Sequence, residues 1–197
     1  MRVLRASFVM AAALMLAGLC LAETATYTET ITASGTVGNT SFTNELLTLT
    51  ATGDTSNIFE SRTSPVTYQI PVTMTFSVQN GPSGTFLGSP DVFVNNGFGS
   101  AGFSVGADIV DVNNSVFATY SLDDSLGEVS GADVDTGYTF STTDGNFALS
   151  NANSARTATF SANVASTPEP SSLVLSASGA LGMVAVLKRW FRRIHSR

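Results

Sequence analysis

Cysteine and histidine each occur once in the 197 residues, as Cys20 and His195, and the single tryptophan is Trp190. From Glu23 to Thr167 there is no cysteine, histidine, lysine or tryptophan. A body so composed forms no disulfide, offers no thiolate nucleophile, and lacks both the Cys and the His ligands of a zinc site. A serine hydrolase is disfavoured on the same ground, because its nucleophile needs an imidazole beside it. Positive charge is almost missing too. Arg62 and Arg156 stand against fourteen acidic residues, so the body carries about −12 where the whole chain carries −6. Such a surface repels phosphate backbones, which excludes nucleic acid as a partner. It suits solubility outside the cell and attracts divalent cations.

The remaining basic charge lies at the two ends. Arg2 and Arg5 precede an apolar run, Ala6 to Leu19, too short to span a bilayer comfortably. Cys20-Leu21-Ala22 follows with small residues at −3 and −1, so residues 1–22 read as a signal peptide cut between Ala22 and Glu23. Leu19 stands where a lipoprotein signal needs a small residue, which disfavours lipidation at Cys20.

The other end reads Pro168-Glu169-Pro170-Ser171-Ser172, an uncharged run from Leu173 to Leu187, then Lys188-Arg189-Trp190-Phe191-Arg192-Arg193. A helix over about Ser171 to Phe191 would be roughly 30 Å long, enough for the hydrocarbon core. Lys188, Arg189, Arg192 and Arg193 then act as a membrane stop on the cytoplasmic side, with the body outside. The two prolines push Thr167 and Glu169 toward extended geometry, the form in which a protease binds a strand.

Motif, apolar span and basic end, in that order behind an export signal, closely resemble the PEP-CTERM sorting signal. The resemblance covers about thirty residues, 168–197, and its specificity lies in the composite. It implies recognition by an exosortase-type membrane protease in a Gram-negative, polysaccharide-producing bacterium, with cleavage near Pro168, Glu169 and Pro170. Stretches such as Ile31 to Gly38 and Phe117 to Leu122 are generally similar to other bodies of that family, which implies a β-rich extracellular domain and no particular activity.

Between the two ends, residues 23–167 alternate. Val66, Tyr68, Ile70, Val72, Met74, Phe76 and Val78 take turns with Thr67, Gln69, Pro71, Thr73, Thr75 and Ser77, a period of two over thirteen residues. Pro71 cannot donate to a ladder, so this strand lies at an edge, bulges, or breaks in two there. Similar alternation marks 103–109, 116–122 and 158–164, with shorter candidates at 25–33, 46–52, 91–94, 138–141 and 147–150. Turn clusters separate them, notably Asn80-Gly81 and Asp144-Gly145. No segment carries a helical period. The expected fold is all-β, an antiparallel β-sandwich-like domain with phenylalanines and tyrosines in its core.

Several chemical motifs occur without their context. Gly102-Phe103-Ser104-Val105-Gly106 has the form of a nucleophile elbow, yet no helix pattern and no body histidine accompany it. Gly97 to Gly102 has the spacing of a dinucleotide loop but leads into another alternating run. Asp133-Val134-Asp135-Thr136-Gly137 opens like a calcium loop without the closing acid, so Asp133 and Asp135 are weak calcium candidates only. Asp123-Asp124, placed on a strand, would point to opposite faces and make no carboxylate pair. No catalytic residue and no cofactor is therefore expected. The reading is an exported surface or matrix protein with a structural or interaction body. Its alternative is a polysaccharide-binding module using exposed aromatics, for which Tyr27, Tyr68, Tyr120 and Tyr138 are the residues to place.

Overall fold

The computed structural model describes residues 23–61, 66–135, 137–150 and 156–165. The expected signal peptide (1–22), the motif Pro168-Glu169-Pro170, the expected membrane helix and the expected stop residues Lys188, Arg189, Arg192 and Arg193 lie outside the described residues.

The described residues form strands and two short 3-10 turns, with no α-helix. The strands β1 (Thr24–Val37) and β2 (Thr40–Asp54) make the longest hairpin, turning at Gly38 in the left-handed region. Asp54 ends β2 and accepts from the Ser56 N–H at 2.8 Å, capping a 3-10 turn at Thr55–Asn57. After β3 (Phe59–Ser61) the long alternating stretch appears as β4 (Thr67–Pro71) and β5 (Thr73–Val78), broken next to Pro71 as its missing N–H requires. There follow β6 (Ser83–Thr85), β7 (Pro90–Asn95), β8 (Ser100–Val105), β9 (Asp108–Asn113), a 3-10 turn at Ser115–Ala118, β10 (Leu126–Asp135), β11 (Thr139–Thr142), β12 (Gly145–Leu149) and β13 (Thr157–Val164).

Every pairing is antiparallel, in the order β3-β4-β7-β8-β9-β10-β13-β1-β2-β5-β6. The strands do not separate into two sheets; one ladder curls into a half-barrel. Its curl follows from β4 and β5. They stand far apart in the ladder order yet are consecutive in the chain, with only Val72 between them. The ladder therefore returns onto a single stretch of chain. Gly53 of β2 marks the meeting point, where a Cβ would come within 3.0 Å of Ile70, Pro71 and Val72 together. The hairpin β11–β12 adds to the far end of β1, where Phe147 lies opposite Val37, and reaches β6 through the bridge between Thr142 and Phe86.

Three sequence expectations need correction. The alternation over 103–109 is not one strand: Gly106 adopts φ +72 and turns β8 into β9. The alternation over 116–122 is no strand at all, but a 3-10 turn and a loop whose Phe117, Tyr120 and Leu122 are buried. Conversely β10 carries the Asp133-Val134-Asp135 segment, so these acids belong to a paired strand and not to a loop.

Inward residues of nearly all strands share one core, in which two groups of aromatic rings stand out. Phe160 meets Tyr27, Phe103, Phe117 and Tyr120 at centroid distances of 5.5–6.5 Å. Phe76, Phe86 and Phe147 meet one another at 5.1–5.5 Å, and Phe140 joins at 6.2 Å from Phe86. Edge-on and tilted rings at these separations add about 0.5–1.5 kcal/mol per pair beyond their area.

The outward positions have a pattern of their own. Thr26, Thr28 and Thr30 of β1 lie opposite Thr52, Thr50 and Thr48 of β2 on one side, and opposite Asn163, Ser161 and Thr159 of β13 on the other. The same three β2 residues lie opposite Thr73, Thr75 and Ser77 of β5. All are exposed or half-exposed, and none carries charge.

Candidate functional site

The one unexpected chemistry in the described residues is carboxyl groups inside the protein. On β1, Ala25, Tyr27, Glu29, Ile31 and Ala33 share the buried phase, so Glu29 points with them into the core. It lies opposite Phe160 of β13, which lies opposite Val129 of β10. Asp133 stands four residues further along β10, on the same face, and Arg156 sits directly before β13, its carbonyl accepting from the Asp133 N–H at 3.0 Å.

Arg156 and Asp133 form an ion pair of 2.8 Å with both side chains largely buried. Glu29 has no such partner. It is fully buried, and neither carboxyl oxygen has a hydrogen bond among the described residues. Burial holds its pKa well above the ordinary carboxyl range, and the charges of Asp111 and Asp133 push it further the same way. Asp111 occupies the other phase of β9, opposite Gly102, and does not join Glu29 on one face.

Two tyrosines beside this acid are fully provided for. The Tyr27 hydroxyl donates to the Leu122 carbonyl at 2.7 Å, and Tyr120 donates to the Asp124 carbonyl at 2.8 Å. Burial raises both phenols above their usual pKa. These bonds fasten the segment after β9 over the interior, and Leu122 is held at φ +73, where a branched side chain is strained by about 1–2 kcal/mol. Asn96 of the β7–β8 turn holds the same segment by donating to the carbonyls of Phe117 and Tyr120.

The residues singled out in the sequence are scattered. Ser104 lies within β8, opposite Asp91 on one side and Asp108 on the other. Asp123 and Asp124 are exposed loop residues. Asp133 is engaged by Arg156, and of Asp135 only the β10 backbone is described. Among the described residues no group of three or more acidic, histidine or cysteine side chains is arranged to hold a metal ion. Tyr27 and Tyr120 are buried, Tyr68 is half-buried, and Tyr138 is 56% exposed, so the tyrosines do not form one aromatic groove. Glu29 was legible in principle: it interrupts the apolar phase Tyr27, Ile31, Ala33 of a strand the alternation already announces.

No family model matches the chain, and neither a curated protein nor a solved structure matches it.

Proposed function

We propose that the chain is an exported precursor whose body, after removal of residues 1–22 and processing at Pro168-Glu169-Pro170 by an exosortase-type membrane protease, serves in the cell envelope or extracellular matrix. The body acts as a structural or interaction domain and not as an enzyme. It is sandwich-like in that opposite walls of the curled sheet pack across one apolar interior. The membrane is its partner through the C-terminal helix before processing.

The observation that supports this reading is where the sheet begins and ends. β1 starts at Thr24, two residues after Ala22, and β13 ends at Val164, four residues before Pro168. Both cuts would therefore spare every strand. Moreover β1 and β13 pair with each other, Ala25 opposite Val164, and the Ala165 N–H donates to the Thr24 carbonyl at 2.9 Å. The two ends of the body leave the sheet side by side, sealed by each other, which lets both flanking segments be removed without opening the core.

The test is the intact mass of the native protein from envelope and culture fractions. A species running from Glu23 to the region 168–170 is expected. A membrane-bound species retaining Arg197 would reduce the tail to a plain anchor and sink the exosortase assignment.

A further inference from the structure

We propose that the uncharged wall of threonines outside β13, β1, β2 and β5 binds a neutral polysaccharide chain. This rests on reading the body as an interaction domain and names the class of its partner. The wall is set by register: Ser161, Thr28, Thr50 and Thr75 follow one another across four strands, and parallel rows lie on either side. Neighbours within a row stand about 4.8 Å apart and successive rows about 6.8 Å apart.

High β-propensity alone accounts for threonine on a strand, but it favours valine, isoleucine and tyrosine equally. Nor does solubility account for the pattern, because exposed or half-exposed strand positions elsewhere in the same sheet use Gln69, Asp91 and Glu128. What distinguishes this wall is the combination of a hydroxyl and a methyl at almost every position with no charge at all. A sugar ring offers the complementary surface, hydroxyls alternating with C–H faces. Thr30 and Thr159 show that hydroxyls on adjacent strands lie within reach of one another, with their oxygens 2.7 Å apart. One ligand hydroxyl can accordingly bridge two strands, as donor to one threonine and acceptor from the other.

Charge sets the kind of chain. The body carries about −12, and among the described residues its one arginine, Arg156, is buried against Asp133, so these residues offer no exposed cation to a polyanion. An acidic polysaccharide is repelled by the body's net negative charge, while an uncharged one is not. Shape sets it against a flat crystalline partner, such as ice: a curled sheet is convex outside, and a flexible chain follows a convex row where a plane touches only part of it.

The experiment is affinity electrophoresis of the full-length chain in detergent micelles through gels containing uncharged dextran, the neutral β-glucan laminarin, or anionic alginate. Retardation is expected in at least one neutral gel and none in alginate. The triple variant Thr28→Val, Thr50→Val, Thr75→Val keeps β-branching and volume and should weaken the apparent affinity at least tenfold. Thr139→Val on β11, exposed but outside these rows, should not change it. A thermal melt of each variant separates lost binding from lost folding, and Thr50→Val alone serves if the triple variant melts early. Absence of retardation in both neutral gels, or retardation unchanged by the valines, overturns the proposal. So does inhibition of ice growth that the valines abolish in a chain no polymer retards. A correctly processed chain that binds no polymer would overturn this inference alone; an unprocessed chain that binds would leave it standing and remove the sorting reading.

Discussion

The interior is packed with aromatic rings at two places, and the two differ in what else they contain. Around Phe147 the neighbours are Phe76, Phe86 and Phe140, hydrocarbon throughout. Around Phe160 two of the rings are tyrosines, Glu29 lies directly opposite, and the Asp133–Arg156 pair follows along the same face. The first place is held by dispersion and dehydration, neither of which depends on pH. The second imposes a hydrogen-bond and charge ledger on top of the same packing, and Glu29 is left open in it. The difference teaches that one continuous core can carry two kinds of stability, only one of them titratable.

The largest effects should come from removing the packing at the hydrocarbon place or the charge partner at the polar one. Phe147→Ala is expected to cost about 3–5 kcal/mol, as truncation of a buried ring generally does. Chemical denaturation at two pH values should show the same loss at both. Arg156→Met should cost about as much, roughly 3–5 kcal/mol, because Asp133 is left as an unpaired buried charge. Replacing both members, Asp133→Leu with Arg156→Met, should recover most of that loss. A double variant as unstable as the single one would show that the pair acts through something other than charge.

The pH dependence isolates Glu29. Its folded pKa lies above its unfolded value, so its contribution is fully present below the unfolded pKa, about 4.3, and is lost as pH rises through the folded one. Wild-type stability should therefore fall on the alkaline side of that window, by at most about 1.4 kcal/mol per pH unit for one proton. Glu29→Gln keeps the shape and stays neutral, so its melting temperature should hold nearly level while that of the wild type falls relative to it as pH rises above about 4.3. Equal slopes for the two proteins would mean that Glu29 is not the titrating group.

How far the sequence disclosed this comparison varies residue by residue. The strands that were read correctly alternate strictly, as in Thr157–Val164, because one face is wet and the other dry. Pro71 announced an edge, a bulge or a break through chemistry alone, and the break between β4 and β5 is the outcome. What alternation cannot disclose is whether a strand underlies it. Phe117, Tyr120 and Leu122 mimic a strand because burial, not strand geometry, selects them in a loop. The strand β10 went unread because Gly131 and Asp133 interrupt the apolar phase that Val129 opens. The curl of the sheet was out of reach, since it depends on Val72 joining two strands that stand far apart in the ladder. Arg156 resembles any surface arginine until Asp133 of another strand is placed beside it.

The smallest effect tests whether the polar place is fastened by its hydrogen bonds or only by its rings. Tyr27→Phe removes a single oxygen and leaves the ring against Phe160. The Leu122 carbonyl then loses its donor in a buried position, at an expected cost of about 1–3 kcal/mol. Because Leu122 is held at positive φ, the loss should also be local: amides of 119–125 should exchange faster while those of β1 and β13 keep their protection. The corresponding loss of a bond at the hydrocarbon place has no counterpart, since its rings have nothing to donate. If Tyr27→Phe lowers protection uniformly instead, the loop over the interior is held by the packing of Phe117 and Leu122, and the tyrosine hydroxyls only satisfy themselves.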